Sequence, residues 1–348
     1  MDLEKRIIAF ARLGAILSEN KDKSLQVATD KASIKNGWFT KENIGLAITS
    51  LGEMLQEDKL RKWTSSYKYQ VSGIKSPAKK IGVIMAGNIP LVGFHDFLCV
   101  LMSGNAFAGK LSSDDEYLLP AVAEILTQIE PEFKDKIQFT NKPFNQLPNI
   151  TAFIATGSNN SARYFEYYFG KYPHIIRKNR NAVAILDGKE SIDDIKELGK
   201  DIFQYFGMGC RNVSKVYIPQ DYNTDKFFEA IVDFGEVINH NKYYNNHQYH
   251  RTIYLLNGDK FLDNNFLMLK ESTEIASPVA TLYYERYRDP KELTKTLEGQ
   301  KEKIQCVLTN PKSQIPNLKS IPFGKAQSPD LWDYADGVDT MKFLSELL

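Results

Sequence analysis

The sequence predicts an α/β protein of two domains with mostly parallel sheets. Three observations lead there. The chain has 348 residues, beyond the length at which single hydrophobic cores stop growing. Short apolar runs of buried-strand type alternate with helical stretches of about a dozen residues, the texture of βαβ units. That alternation repeats after Asn181, as a second domain would require.

Each element follows from local pattern. From Met1 to Ser18, Leu3, Ile7, Phe10, Leu13 and Leu17 form a helical stripe interrupted by Glu4, Lys5 and Arg12. This charge-broken stripe is not a targeting segment, so the protein is expected in the cytoplasm. Glu19 to Gly37 is rich in Lys, Ser and Asn and reads as a break, with a helix from Lys41 to Lys62 after it. Lys68 to Lys80, with Gly73 and Pro77, reads as a ribbon or connector. Ile81 to Ala86 is then a buried strand, Leu91 to Met102 a helix and Ala106 to Lys110 a strand. Ser112-Ser113-Asp114-Asp115 caps a helix from Glu116 to Ile129. Strands at Ile137–Thr140 and Thr151–Ala155 precede a helix from Ser158 to Gly170. Beyond Asn181 the order is strand Ala182–Leu186, helix Ile192–Phe206, strand Lys215–Ile218 and helix Thr224–Val237. The Tyr/Asn/His-rich stretch Asn239 to His250 has no clear period and reads as a loop or edge element near a substrate entrance. Thr309 to Ser320 reads as a surface loop.

Composition excludes several classes. The hydrophobic fraction is 43%, the charged fraction 25% and the net charge +1. These are values of an ordinary soluble domain, without the basic field of a nucleic-acid binder. No run of roughly 18 apolar residues occurs, so no membrane span is expected. The three cysteines, Cys99, Cys210 and Cys306, are too few and too scattered for a disulfide framework or a structural zinc site. Cys99 and Cys306 stand in apolar runs and read as core. His247 and His250 have an H-x-x-H spacing, but no carboxylate or cysteine lies near them in sequence, so no metal is expected.

Cys210 is different. It stands in Phe206-Gly207-Met208-Gly209-Cys210-Arg211, between a helix and a strand. Glycines let a ligand approach the backbone, and an exposed thiol beside Arg211 has the setting that favours a thiolate. Such a thiolate can attack a carbonyl and hold the acyl group. Taken alone, a free cysteine is more often a small core hydrophobe. Three strand-to-helix junctions add weight, because open α/β sheets bind ligands at their carboxyl ends. The first, Met85-Ala86-Gly87-Asn88-Ile89-Pro90, presents Asn88 on an elbow, where an Asx turn is the plain alternative. The second carries Lys110, Ser112 and Ser113, and the third Thr156, Gly157 and Ser158. Lysine and hydroxyls there suit a phosphate or a sugar. Neither a G-x-G-x-x-G nor a Walker A sequence is present, so a nucleotide is indicated without being named.

In order along the chain, these pieces resemble the aldehyde dehydrogenase superfamily. Within it they resemble the acyl-CoA reductases that supply fatty aldehyde to bacterial luciferase. The resemblance runs from Ile81 to Leu344. Gly82 to Pro90 looks like the family's strand and asparagine elbow, and Gly104 to Ser112 like the run ending in a cofactor-binding lysine. Thr156-Gly157-Ser158 is similar to the turn under the cofactor diphosphate, and Gly207 to Arg211 to the approach to the catalytic cysteine. Glu274 to Val279 resembles the E-x-F-G-P-V run whose glutamate holds the nicotinamide ribose, and Pro322 to Lys325 the late P-F-G motif. The resemblance implies an aldehyde dehydrogenase-like fold. Residues 1–180 would hold the N-terminal helices and a Rossmann-like NAD(P)-binding domain, 181–320 the catalytic domain, and 321–348 a segment returning to the cofactor domain.

The departures sharpen the reading. Hydrolysing members carry a glutamate in an E-L-G-G run before the strand Ala182–Leu186; this chain has Arg177-Lys178-Asn179-Arg180. Without that general base, hydrolysis of an acyl-enzyme is disfavoured. The glutamate that holds the adenosine ribose is replaced by Ser113, which removes a clash with a 2′-phosphate and favours NADPH. Ala276 and Ser277 replace the family's Phe and Gly. The expectation is an NADPH-dependent acyl-CoA reductase. Cys210 is the nucleophile, Asn88 and the Cys210 N–H meet the oxyanion, and Lys110, Ser112, Ser113, Thr156, Gly157, Ser158 and Glu274 hold the cofactor. A monomer or homodimer acting on acyl-CoA, without nucleic acid, completes it. Two alternatives stand beside it: an acyl phosphate reductase gripping its substrate with Arg177, Lys178 and Arg180, and a nucleotide-binding member without catalysis.

Overall fold

The computed structural model describes residues 1–67, 78–141, 149–313 and 318–347. The chain divides into two compact units, Met1–Asn179 with Pro329–Leu348, and Arg180–Ser328. Most of the connector expected at Lys68–Lys80, and part of the loop at Thr309–Ser320, lie outside the described residues.

The first unit opens with four helices: α1 (Leu3–Glu19), α2 (Lys23–Lys35), α3 (Lys41–Met54) and α4 (Glu57–Ser65). Asp2 caps α1 by accepting from Lys5 N at 2.8 Å, and Ile7, Phe10, Leu13 and Leu17 are buried along its stripe. α2 occupies what the sequence presents as a polar break. Asp22 caps it, and Leu25, Ala28 and Ala32 give it a narrow buried face at helical spacing. The helix expected at Lys41–Lys62 is two, divided after Met54.

A parallel sheet follows, in the order β3-β2-β1-β4-β5. Its strands are β1 (Lys80–Ile84), β2 (Ala106–Lys110), β3 (Ile137–Phe139), β4 (Ile150–Thr156) and β5 (His174–Arg177). The central strand β1 pairs with β2 and β4, placing Ile84 beside both Lys110 and Ala155. The helices α5 (Phe94–Met102), α6 (Leu118–Ile129) and α7 (Asn159–Phe169) connect these strands or follow them. α5 starts later than expected. Leu91 is left-handed at φ 58°, and its N–H goes to Asp115 Oδ2 at 2.8 Å instead of into a helix.

The second unit carries a seven-stranded sheet ordered β12-β11-β6-β7-β10-β9-β8. In chain order these are β6 (Asn181–Ile185), β7 (Val213–Pro219), β8 (Phe261–Asp263), β9 (Met268–Glu271), β10 (Thr281–Tyr287), β11 (Ile304–Thr309) and β12 (Ile321–Pro322). Every pairing is parallel except β8 with β9. Helices α8 (Ile192–Phe203), α9 (Thr224–Ala230), α10 (Asn241–Asn257) and α11 (Pro290–Gly299) accompany it. Ser191 and Asp194 form a complete capping box at the start of α8. Residues 239–250, expected as a loop or edge element, form most of α10 instead. Its inward side is Tyr243, His247 and Tyr254, and the Tyr243 hydroxyl donates to Phe266 O at 3.0 Å.

The chain then returns to the first unit with α12 (Thr340–Glu346). Arg177, only 4% exposed, donates to Asp96 Oδ2 at 2.5 Å and to Thr340 Oγ1 at 3.0 Å. A strand end, α5 and the returning segment thus share one buried cation. Around it, Tyr67 donates to Asp339, and Trp63 to the Tyr334 hydroxyl.

Removing one partner of a buried pair strands the other charge, which typically costs about 3–5 kcal/mol. Arg177→Ala and Asp96→Ala should therefore lower urea-unfolding stability by about that much. Arg61→Ala, which breaks an exposed pair with Glu4, should change it little. Equal effects at the two sites would contradict this assignment of the tie.

Candidate active site

In the first unit the carboxyl ends of parallel strands face one edge, and the strand order reverses between β1 and β4. A crevice at such a reversal is where open α/β sheets take ligands. Three loops meet there: Met85–Pro90 after β1, Leu111–Asp115 after β2, and Gly157–Ser158 after β4. The backbone fixes their spacing, with Met85 N donating to Lys110 O at 3.1 Å and Gly157 N to Arg177 O at 3.3 Å. A Cβ on Gly87 would stand 2.6 Å from Ser112 Cβ and 3.1 Å from Asp114 Cβ, so only glycine lets these two loops approach so closely.

The hydroxyls here already have local work. Ser112 Oγ accepts from Asp114 N at 3.2 Å, and Ser158 Oγ caps α7 through Ser161 N at 3.1 Å. Lys110 and Ser113 are exposed, and Asn88 is half-buried. Asp115 is buried, which pushes its carboxyl up to about 6. The structure therefore brings Asn88, Lys110, Ser112, Ser113, Thr156, Gly157 and Ser158 to one sheet edge. A lysine, hydroxyls, a glycine-permitted close approach and the N-terminus of α7 suit a phosphate-bearing nucleotide.

Cys210 and Glu274 belong to the second unit. Cys210 stands three residues before the amino end of β7, and Glu274 lies in the loop from β9 to β10. Ser214 of β7 donates to Ile275 O at 2.7 Å, tying the cysteine loop to the Glu274 loop. Glu274 is exposed and Cys210 half-buried. Cys99, by contrast, is fully buried, and burial pushes its thiol well up.

The approach to Cys210 is strained. Tyr205, Phe206 and Gly207 are left-handed in succession, at φ 52°, 57° and 75°. Glycine accepts this freely, whereas bulky residues do so at a cost of order 1–3 kcal/mol each. Phe206 is held by stacking on His240, with ring centroids 4.2 Å apart.

Two residues that the sequence did not single out fix this region. Asn212, 1% exposed, accepts from Gly209 N at 2.8 Å and donates to Asp201 O and Gln204 O at 2.9 and 2.8 Å. Asp201, equally buried, accepts from Gly324 N at 2.6 Å and Ala326 N at 3.0 Å. It thereby brings the Pro322–Lys325 motif to the cysteine loop, and Arg211 adds a longer bond to Ala326 O at 3.4 Å. The signal for Asn212 was its place two residues after Cys210. Nothing local marks Asp201.

Other candidates have structural occupations. His247 Nε2 pairs with Asp263 Oδ1 at 3.0 Å, so a carboxylate does lie beside it, contrary to the sequence expectation. It comes from β8 and also binds Arg251. Among the described residues no group of three or more His, Cys, Asp or Glu is placed to hold a metal. Arg180 donates to Lys301 O and Ile304 O. With Arg177 committed to Asp96, two of the three cations offered to an acyl phosphate are in use elsewhere. Among the described residues no helix is long and apolar enough to cross a membrane.

Comparison with known proteins bears on the family and the fold. The family model for acyl-CoA reductase (LuxC) matches residues 14–233, well over half of the chain. No curated protein matches. Among solved structures, aldehyde dehydrogenase 21 from Physcomitrella patens, in complex with the product succinate, superposes with a TM-score of 0.71 at 13% identity. It covers 99% of this chain and 84% of its own. An NADP dependent enzyme from E. coli gives 0.66 at 11% identity, over 93% and 78% of the two chains. An NAD-dependent benzaldehyde dehydrogenase from Corynebacterium glutamicum gives 0.64 at 15%, over 90% and 77%. At such identities the likeness establishes the fold, which is that of the aldehyde dehydrogenases.

The buried Asp201 gives a pH test of how the site is held. Burial pushes its carboxyl up to about 6 from an ordinary 3.8. The folded-state value is the higher one, so its contribution to stability is full below pH 3.8 and is lost as pH rises through about 6. Relative to Asp201→Asn, the wild type should gain on the order of 2–3 kcal/mol in urea unfolding between about pH 7 and pH 4. A stability difference that does not vary with pH would contradict this.

Proposed function

The chain belongs to the acyl-CoA reductase (LuxC) family, and we propose that it reduces an acyl-CoA thioester, fatty acyl chains included, to the aldehyde with NADPH. The observation that carries this reading is the cysteine loop: a half-buried thiol on a strained segment, held by buried side chains. The Cys210 thiolate attacks the thioester carbonyl carbon. The bond from that carbon to the CoA sulfur breaks, CoA leaves with a proton, and the acyl group stays on Cys210. The Cys210 N–H and the Asn88 carboxamide serve as oxyanion donors, each worth typically about 2.7–4 kcal/mol of barrier.

No carboxylate stands at residues 177–180, and Arg177 is committed to Asp96. Nothing in that segment activates water, which favours reduction of the acyl-enzyme over hydrolysis. Nicotinamide cofactors are named for two of the matching structures, and the edge built from β1, β2 and β4 suits one. Lys110, Ser112, Ser113, Thr156, Gly157 and Ser158 would hold the nucleotide, and Glu274 the nicotinamide ribose. Bound there, the reduced nicotinamide would supply the hydride that releases the acyl group from Cys210 as the aldehyde and returns the thiolate. Ser113, in place of a carboxylate that would repel a 2′-phosphate, and the exposed Lys110 favour NADPH. The competing carboxylate is Asp114, whose Cβ approaches Gly87.

Following NADPH absorbance across a panel of acyl-CoAs tests the reading. Cys210→Ala should abolish NADPH oxidation while NADPH still binds, and Cys99→Ala and Cys306→Ala should stay active. Turnover by Cys210→Ala would overturn the mechanism. Absence of turnover by the wild type with every acyl-CoA would favour the non-catalytic reading. NADPH should exceed NADH in kcat/KM. The reverse preference, abolished by Asp114→Ser, would make Asp114 the ribose-binding acid.

A further inference from the structure

We propose that the second unit carries a ligand site of its own, for a small molecule bearing two or more phosphates, in the cleft at the carboxyl ends of β6, β7, β10 and β11. This cleft has a volume of about 1010 Å³, enough for a ligand of nucleotide size. It is separate from the cysteine loop. Cys210 precedes β7, whereas Pro219, Gln220 and Asp221 of the cleft end β7 or follow it. A strand of seven residues at ~3.3 Å each puts roughly 20 Å between them.

Topology supports a binding role. β6 and β11 are neighbours, yet the chain leaves β6 for β7 on one side and β11 for β12 on the other. That reversal is the place where parallel sheets open a crevice for ligands. The same rule identified the nucleotide edge of the first unit, and here it singles out a position that the proposed reduction does not use.

Charge defines the ligand. Lys189, Arg288 and Lys312 line the cleft from three different loops, after β6, β10 and β11. All three are exposed, and Lys312 is near enough to Asp194 to help hold that carboxyl down. The loop after β6 already binds an anion, the chain's own Glu190, whose carboxylate accepts from Asp187 N at 2.6 Å and Gly188 N at 3.0 Å. Those backbone donors are therefore filled, and the side-chain cations remain for a ligand. Asp187 and Asp221 share the lining with them, and Asp187 accepts from Ser313 Oγ at 2.8 Å and Lys189 N at 2.9 Å. Cations still outnumber carboxylates in the lining. Three cations spread around a cleft of this size match several phosphates better than a single small anion.

Isothermal titration of the full chain with pyrophosphate and with ATP tests this site. One of these probes should bind saturably at low salt and weaken as salt rises. Arg288→Glu combined with Lys312→Glu should weaken it tenfold or more, Asp221→Asn should tighten it, and Lys110→Ala should leave it unchanged. Lys189→Glu alone supplies a second, milder variant, and a wild-type melting temperature checks that each has folded. No saturable binding of either probe would overturn the proposal. So would binding that is lost in Lys110→Ala and survives the charge reversals, which would place the probe at the nucleotide edge of the first unit.

Discussion

Asn212 sits almost wholly buried beneath the cysteine loop and spends its carboxamide on the backbone of Gly209, Asp201 and Gln204. The arrangement of the cysteine loop depends on this. The left-handed run at Tyr205, Phe206 and Gly207 costs of order 1–3 kcal/mol for each bulky residue, and such strain persists only where surrounding structure over-determines it. Each hydrogen bond of Asn212 returns on the order of 1 kcal/mol, and each leaves a buried backbone group satisfied that would otherwise cost about 1–3 kcal/mol. The two sides are of similar size. The loop is therefore held by a near balance in which Asn212, Asp201 and the Phe206–His240 stack all take part.

The same accounting of polar groups separates chemistry from architecture elsewhere. Arg177 and Arg180 look like substrate-gripping cations in the sequence. In the fold Arg177 closes a buried pair with Asp96 and also reaches Thr340, and Arg180 donates to backbone carbonyls. His247, which the sequence leaves without a nearby carboxylate, is hydrogen-bonded to Asp263. A buried polar group must be satisfied by something, and the identity of that partner is a fact of tertiary structure.

This explains what the sequence could and could not reveal. Strands β1 to β4, β6 and β7 and the three strand-end junctions were legible, because a buried strand is a short apolar run and its ends carry glycine and hydroxyls. Strands β5 and β8 to β12 were not assigned, and two helices within the segments that were read were missed. α2 shows a face of only Leu25, Ala28 and Ala32 amid lysines and serines. α10 turns Tyr243, His247 and Tyr254 inward, residue types that an apolar count passes over, in a segment dense with poorly helix-forming asparagine. The start of α5 was misplaced because Leu91 N is claimed by Asp115, twenty-four positions away. The loop that presents Cys210 was legible from its glycines. Asp201 was not, since its role is to receive Gly324 and Ala326.

The central claim is that this chain makes an acyl-enzyme on Cys210 that waits for hydride and not for water. Mixing the protein with acyl-CoA in the absence of NADPH, while following CoA release and intact mass, tests it most directly. A burst of a single equivalent of CoA per site is expected, then a stall, with the acyl mass located on Cys210. Continuous CoA release with accumulating free acid would contradict it, as would an acyl group found on any other residue.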